Sequence, residues 1–420
     1  MRIGMMSFEE SLNNKTLRGV STTTRYLQQD LINVGFEVDL LIYGKGKLDY
    51  PEGFDIAKHF HTLGELEYLR DYYDFMIYYT PGRSLERWDS KDIGKYQALL
   101  DTVGIPFTYI YHSEEYEKHQ PYRHEFLNHP DCKFLVFVAE GFQELYADDL
   151  TIVDKYIVMN SFPPLNSLEY IKGAQKSESV IITSAWTNFK RNLEYFELVD
   201  KFLELGITPY SAGAPNSNFY VNDILDLLIS QIDIVQDDAE IDEKSLAKYR
   251  DYTRMMSRIG QDAPYTKDEE SNMRRVIGAY LYNRSGNKWF DYGYYYPEDM
   301  TEILRDKKFH WNISCYKVNH RNYFPRFETV TIEAFNEGCL PVICKETTPD
   351  WVPDDTAIRL SKSDYADHVD ILANMSEEER ISRIEKFYNL LKTRIYDTMF
   401  VKFRSLVEEV LDMEVSDERE

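Results

Sequence analysis

Short apolar runs alternate with amphipathic stretches along most of the chain. The first run, Arg2–Phe8, leads through a polar loop into residues 21–34, where Tyr26, Leu27, Leu31 and Val34 fall on one face of a helix. Gly35 stops that helix and Val38–Tyr43 is a continuous apolar strand, so the chain opens as a parallel βαβ unit. Further strands are predicted at Asp74–Tyr79, Phe107–Tyr111, Lys133–Val138 and Tyr156–Met159, with a helix over 95–102 that ends before Gly104-Ile105-Pro106. Asn160-Ser161-Phe162-Pro163-Pro164 breaks the pattern, and a polar stretch follows. A second series then begins with a strand at Ser179–Ser184 and a helix over 192–205. Residues 216–284 read as helical, charged and out of step. The alternation returns with a strand at Trp289–Tyr292 and helices over 297–305 and 328–336; Gly338 closes the last of these ahead of a strand at Leu340–Cys344. A long amphipathic helix over 376–413 ends the pattern.

Strands that are apolar throughout, rather than at every second residue, are those covered on both faces. The pattern therefore predicts an α/β fold with two Rossmann-like, doubly wound domains facing across a cleft, and a helical insertion in the second. A chain of 420 residues also exceeds what one core usually organises. The expected division is a first domain over 1–160, a linker over 161–178, a second domain over 179–395 with its insertion at about 216–285, and a C-terminal helix over 396–420 that packs back toward the first domain.

Charge narrows the partners. A formal net charge of -24 repels nucleic acid and anionic membrane on average, so any polyanion needs a local basic patch. Residues 307–327 supply one: they hold no Asp or Glu, yet include Lys307, Lys308, Lys317, Arg321 and Arg326 with His310 and His320, interleaved with Trp311, Tyr316, Tyr323 and Phe324. Such a strip suits a phosphate backbone and an extruded base, or equally a nucleotide diphosphate alone. Aromatic residues are 15% of the chain, which suits stacking on sugars or bases but also simply fills cores. Cys132, Cys315, Cys339 and Cys344 form no CxxC pair and read as free, buried thiols of a reducing compartment. With no signal-like N-terminus and no apolar run of spanning length, a cytoplasmic protein is expected.

The most informative chemistry lies in Glu328-Thr329-Val330-Thr331-Ile332-Glu333-Ala334, followed by Gly338-Cys339-Leu340-Pro341-Val342. A helix start offers free N–H groups and a positive dipole end, so a diphosphate can dock on the amides from Glu328 through Val330 while Glu333 takes ribose hydroxyls. The alternative is that Glu328 only favours the helix start and Glu333 is solvated. Lys190, with Arg191 beside it, follows the first strand of the second domain, where a point charge neutralises a departing diphosphate or is merely solvated. Gly19-Val20-Ser21 enters the first helix, and a Gly there lets backbone approach a ligand or forms a plain turn. No GxGxxG is present, so a nicotinamide enzyme is unsupported. His112 closes a strand with Glu114 nearby, placed to meet a sugar or take a proton, or to serve structure. His119, His124 and His129 recur every five residues, which matches no metal spacing; they read as surface residues, and no metal site is expected.

The pattern E-x4-E-A-x3-G-x-x-P-V resembles the donor-binding motif of retaining GT-B glycosyltransferases, and its five-residue spacing is closer to the DNA α-glucosyltransferase family of T-even phages, which modifies hydroxymethylcytosine. Gly19-Val20-Ser21, Tyr109-Ile110-Tyr111-His112-Ser113-Glu114, Thr187-Asn188-Phe189-Lys190 and Asn160-Ser161-Phe162-Pro163-Pro164 resemble stretches of that family in matching order over most of the chain. The sequence departs at Ala185, where the family has an Arg beside the Lys, and at Ser113, where it has an Asp.

The resemblance implies an acceptor-side first domain and a donor-binding second one. It implies a UDP-sugar co-substrate without a protein-bound metal, a retaining transfer to a hydroxymethylated pyrimidine of phage duplex DNA, and a setting in the host cytoplasm. His112, Glu114, Glu328 and Lys190 would be the catalytic set. Gly19, Val20, Ser21, Lys190, Arg191, Glu328, Thr329, Val330 and Glu333 would hold the donor, and Lys15, Arg18, Lys307, Lys308, Lys317, Arg321 and Arg326 the DNA. Two other readings stand beside it: a cytosolic glycosyltransferase acting on a polysaccharide, lipid-carrier or protein acceptor, which the acidic charge favours, and a non-catalytic nucleotide-sugar-binding protein, which Ala185 and Ser113 favour.

Overall fold

A computed structural model describes residues 1–8, 19–43, 56–79, 94–111, 120–139, 142–159, 161–184, 192–212, 290–291, 300–313, 317–318, 321–323, 328–361 and 363–417. The expected helical insertion, and the candidate residues Lys15, Arg18, His112, Glu114, Lys190, Arg191 and Arg326, lie outside them. The chain divides into two units, one of 1–165, 324–329 and 389–420, the other of 166–323 and 330–388.

The first unit holds seven parallel strands: β1 (Arg2–Phe8), β2 (Glu37–Tyr43), β3 (Ile56–Phe60), β4 (Phe75–Tyr79), β5 (Phe107–Tyr111), β6 (Cys132–Phe137) and β7 (Tyr156–Val158). Their order in the sheet is β3-β2-β1-β4-β5-β6-β7. β5 is buried along its whole length and β6 at all but one position, which is why both read as continuous apolar runs. The helix after β1 spans Gly19–Asn33, two residues earlier than its periodicity suggests. Its carboxyl end is closed by Gly35 at φ +95° and by Arg404, whose Nη1 donates to Val34 O at 2.7 Å. Arg404 belongs to the last helix, Phe400–Asp417, which enters this core through Phe403, 6.1 Å from the Phe36 ring and 5.6 Å from that of Phe134. Helix Gln120–Asn128 carries the histidine-containing stretch. There His129 is buried, not a surface residue: the Asp131 N–H donates to Nδ1, which leaves the proton on Nε2, 3.1 Å from Asp101 Oδ1.

One helix residue breaks the usual rule for buried charge. Asp30 is 1% exposed, and neither carboxylate oxygen has a partner at hydrogen-bond geometry. Burial pushes its carboxyl up to about 8, with only a partial offset from the nearby Phe162 backbone N–H. A carboxyl raised in this way binds its proton more tightly when folded, so stability is present near pH 4 and falls as pH rises toward 8. Asp30→Asn is expected to remove that slope, gaining at most about 5 kcal/mol at pH 8 relative to pH 4. Urea unfolding across this pH range tests it: parallel curves for both proteins would contradict the assignment.

The second unit holds β8 (Ser177–Thr183), β9 (Thr208–Ala212), β10 (Phe290–Asp291), β11 (Lys307–Asn312), β14 (Leu340–Cys344) and β15 (Ile358–Leu360), parallel and ordered β10-β9-β8-β11-β14-β15. β12 (Lys317–Val318) and β13 (Arg321–Tyr323) form a separate antiparallel pair. The stretch expected as a linker contains a helix, Leu168–Lys172, whose Ser167 Oγ accepts from the Tyr170 N–H and whose Ile171 is fully buried. The helix expected over 192–205 breaks at Leu198 into Asn192–Glu197 and Val199–Glu204. The terminal amphipathic stretch is Glu377–Leu391, a π-helix over Lys392–Met399, and then Phe400–Asp417. Cys132, Cys339 and Cys344 are buried free thiols.

Candidate active site

In each sheet the crossover direction reverses once, between β1 and β4 in the first and between β8 and β11 in the second. Loops leaving the carboxyl ends of two such strands diverge, and the crevice they open is where doubly wound sheets take ligands. In sequence, β8 is followed by Lys190 and Arg191, which lie outside the described residues, and β11 is followed by β12, β13 and Glu328. The two candidate phosphate-binding stretches thus leave the same switch point by topology.

The strand ends there are cross-braced. Thr183 Oγ1 lies 2.6 Å from His310 Nε2, tying β8 to β11 inside the core. Two residues on, Asn312 Nδ2 donates to Thr331 Oγ1 at 2.6 Å, fixing the strand end to the first turn of helix Thr329–Asn336. That helix buries Thr331, Ile332, Ala334, Phe335 and Asn336. Thr329 and Glu333 remain partly exposed and share one face, being a turn apart, whereas Val330 packs against the core cluster that includes Ala334 and Cys339. Glu328, directly before the helix, is buried at 8% exposure.

The carboxyl end is fixed more firmly still. Gly338 turns the chain at φ +87°, and a Cβ there would lie 2.5 Å from Ile171 O. Lys176 Nζ donates to Glu337 O at 2.7 Å and Arg305 O at 2.9 Å, while Arg380 Nη1 donates to Gly338 O at 2.9 Å. Asn166 Nδ2 reaches Asn336 O at 3.2 Å. Cations on these carbonyls complement the helix dipole. Burial, with Arg380 and Arg305 nearby, lowers the Lys176 ammonium to about 8. None of Lys176, Arg380 and Asn312 stands out as a site residue in the sequence, and His310 does so only as a member of the basic strip. A polar Asn closing an otherwise buried strand is the one local signal among them.

Two expected DNA contacts do not survive. Lys307 and Lys308 open β11, a central strand, and are 2% and 4% exposed. Lys307 pairs with Asp306 and lies 4.2 Å from the Tyr210 ring centre; Lys308 Nζ holds both Glu178 oxygens at 2.8 and 2.9 Å. Trp311, taken as a stacking ring, is core, packed against Tyr195 and Phe202. Lys317 and Arg321 lie on the β12–β13 hairpin, in the same connection as Glu328. Among the described residues, no group of three or more His, Cys, Asp or Glu is placed to hold a metal ion, and no helix is long and apolar enough to cross a membrane.

Two doubly wound parallel sheets, each reversing at a central switch point and the first unit completed by the C-terminal helix, constitute the GT-B fold. Within it, the chain resembles solved DNA-modifying glucosyltransferases. An alpha-glucosyltransferase in complex with UDP-glucose and DNA containing an abasic site matches over 97% of this chain and 99% of that one, at 14% identity and a TM-score of 0.62. The alpha-glucosyltransferase with UDP and a 13-mer DNA containing an HMU base matches with the same coverage and identity at 0.64. The pneumococcal O-GlcNAc transferase GtfA, in complex with UDP and GlcNAc, matches over 97% and 99% at 10% identity and 0.53. No protein-family model and no curated protein sequence matches.

Proposed function

We propose that the protein is a UDP-sugar-dependent glycosyltransferase that moves its sugar to the hydroxymethyl group of a 5-hydroxymethylpyrimidine in duplex DNA, with retention at the anomeric carbon. The observation that carries this is the helix Thr329–Asn336, tied at its first turn to the end of β11 through Asn312 and followed by carbonyls that Lys176 and Arg380 hold. The fold it belongs to is shared over nearly the full chain with an alpha-glucosyltransferase solved with UDP-glucose and DNA.

Glu333 takes the ribose hydroxyls, and the amides from Glu328 to Val330, with Lys190, Arg191 and the Gly19-Val20-Ser21 entry, hold the diphosphate. His112 and Glu114 orient the donor sugar and the acceptor hydroxyl. The bond from the anomeric carbon to the diphosphate breaks, a bond to the hydroxymethyl oxygen forms, and the hydroxyl proton is released with UDP. Lys15, Arg18, Lys317, Arg321 and Arg326 grip the DNA backbone. Against a net charge of -24, that grip is local and steeply salt-dependent.

The acidic charge favours a second reading, transfer to a polysaccharide or protein. UDP release separates the readings. With UDP-glucose and other UDP-sugars, release should rise at least tenfold on adding hydroxymethylated duplex, and unmodified duplex should do nothing. Release that responds only to a polysaccharide or protein acceptor would favour the second reading; no release from any UDP-sugar would refute an enzyme altogether.

A further inference from the structure

The first unit carries a cavity that the transfer reaction does not use. It has a volume of about 280 Å³ and lies between β7 and the π-helix Lys392–Met399, with Lys402 from the start of the last helix at its rim. Three features coincide there. Among the described residues, β7 is the last strand of its sheet and pairs with β6 alone. The wall opposite it is π-helical, a rare geometry found disproportionately at functional positions. Finally, the described lining contains two exposed cations, Arg394 and Lys402, and no acidic residue, in a chain whose acids outnumber its Lys and Arg by 72 to 48.

Tyr156 decides what such a cavity suits. Its ring meets that of Phe137 edge-on at 5.8 Å, yet it remains 45% exposed. A half-exposed ring beside cations is the combination that takes nucleic-acid strands, a base stacking on the ring while phosphate meets the charges. The volume falls just below the range of small-molecule sites, the right scale for one unit of a polymer.

We propose that this cavity binds one nucleotide of a nucleic-acid strand, its base on Tyr156 and its phosphate between Arg394 and Lys402. The site lies on the first unit, apart from the helix assigned to the donor, and stands whether or not DNA is the acceptor.

The test is fluorescence anisotropy of the full chain with a labelled single-stranded oligodeoxynucleotide across a salt series, with AMP as competitor. Arg394→Glu with Lys402→Glu should weaken binding at least tenfold at low salt. It should also flatten the plot of log K against log salt by about 0.7, the share of one phosphate contact on a single strand. Tyr156→Ala should weaken binding several-fold and leave the slope unchanged, whereas Arg394→Lys with Lys402→Arg should bind as wild type. Melting curves and UDP release from UDP-glucose should be the same in all variants. A strand bound equally by wild type and the charge-reversed variant, or by neither, would overturn the proposal. AMP binding that depends on Arg394 and Lys402 without any strand binding would assign the cavity to free nucleotides and overturn the polymer. A loss of UDP release in wild type would instead count against the transfer reading alone.

Discussion

Gly338→Ala is expected to unfold or severely loosen the second unit. The residue sits at φ +87°, which alone costs a side chain about 1–2 kcal/mol, and its Cβ would lie 2.5 Å from the backbone oxygen of Ile171, which no rotamer change relieves. The total should reach roughly 3 kcal/mol or more, lowering the melting transition by about 6–12 °C for a domain of this size. Two comparisons isolate the cause. Gly206 has a similar φ of +76° with nothing within 4 Å of a Cβ, so Gly206→Ala should cost only about 1 kcal/mol. Gly338→Asn should fail like Gly338→Ala, because Asn tolerates the dihedral but not the collision. Equal losses at 206 and 338 would rule out the steric account.

The second large effect concerns chemistry. If Lys190 neutralises the departing UDP, Lys190→Ala should lower kcat for transfer by about 10²–10³, the cost of removing one preorganised transition-state charge, while UDP affinity changes only a few-fold. Because Ala185 stands where the related family has an Arg, no second cation from that position shares the load, and Arg191→Ala should have a smaller effect. A Lys190→Ala enzyme that keeps its kcat but loses UDP binding would make the lysine a ground-state anchor. Unchanged values for both would remove it from the site.

Much of this was legible in the sequence. β5 and β14 are buried at every position, and a strand covered on both faces looks the same in one dimension as in three. β11 was hidden for the opposite reason. Lys307, Lys308 and His310 gave it the look of a basic surface strip, but the Lys308–Glu178 ion pair and the His310–Thr183 contact that let it be buried come from more than a hundred residues away, and no periodicity encodes them. β3, with Lys58 and His59, and β15, with Arg359, carry charged residues in short strands and were not predicted either. The helix Thr329–Asn336 could be read because a helix start, its acids and its terminal glycine are all local. What holds it in place could not: Asn166, Lys176 and Arg380 converge on its last carbonyls from segments far apart in sequence.

The make-up of the first unit sets the order in which the chain can mature during synthesis. Its sheet is complete by Val158, but the ring that lies against Phe36 and Phe134 is Phe403, and the cation that closes its first helix is Arg404. A nascent chain has therefore translated all of the second unit before the first can bury those aromatics. Until then it presents an open apolar seam, the state a ribosome-associated chaperone would meet and that C-terminal truncation would make permanent.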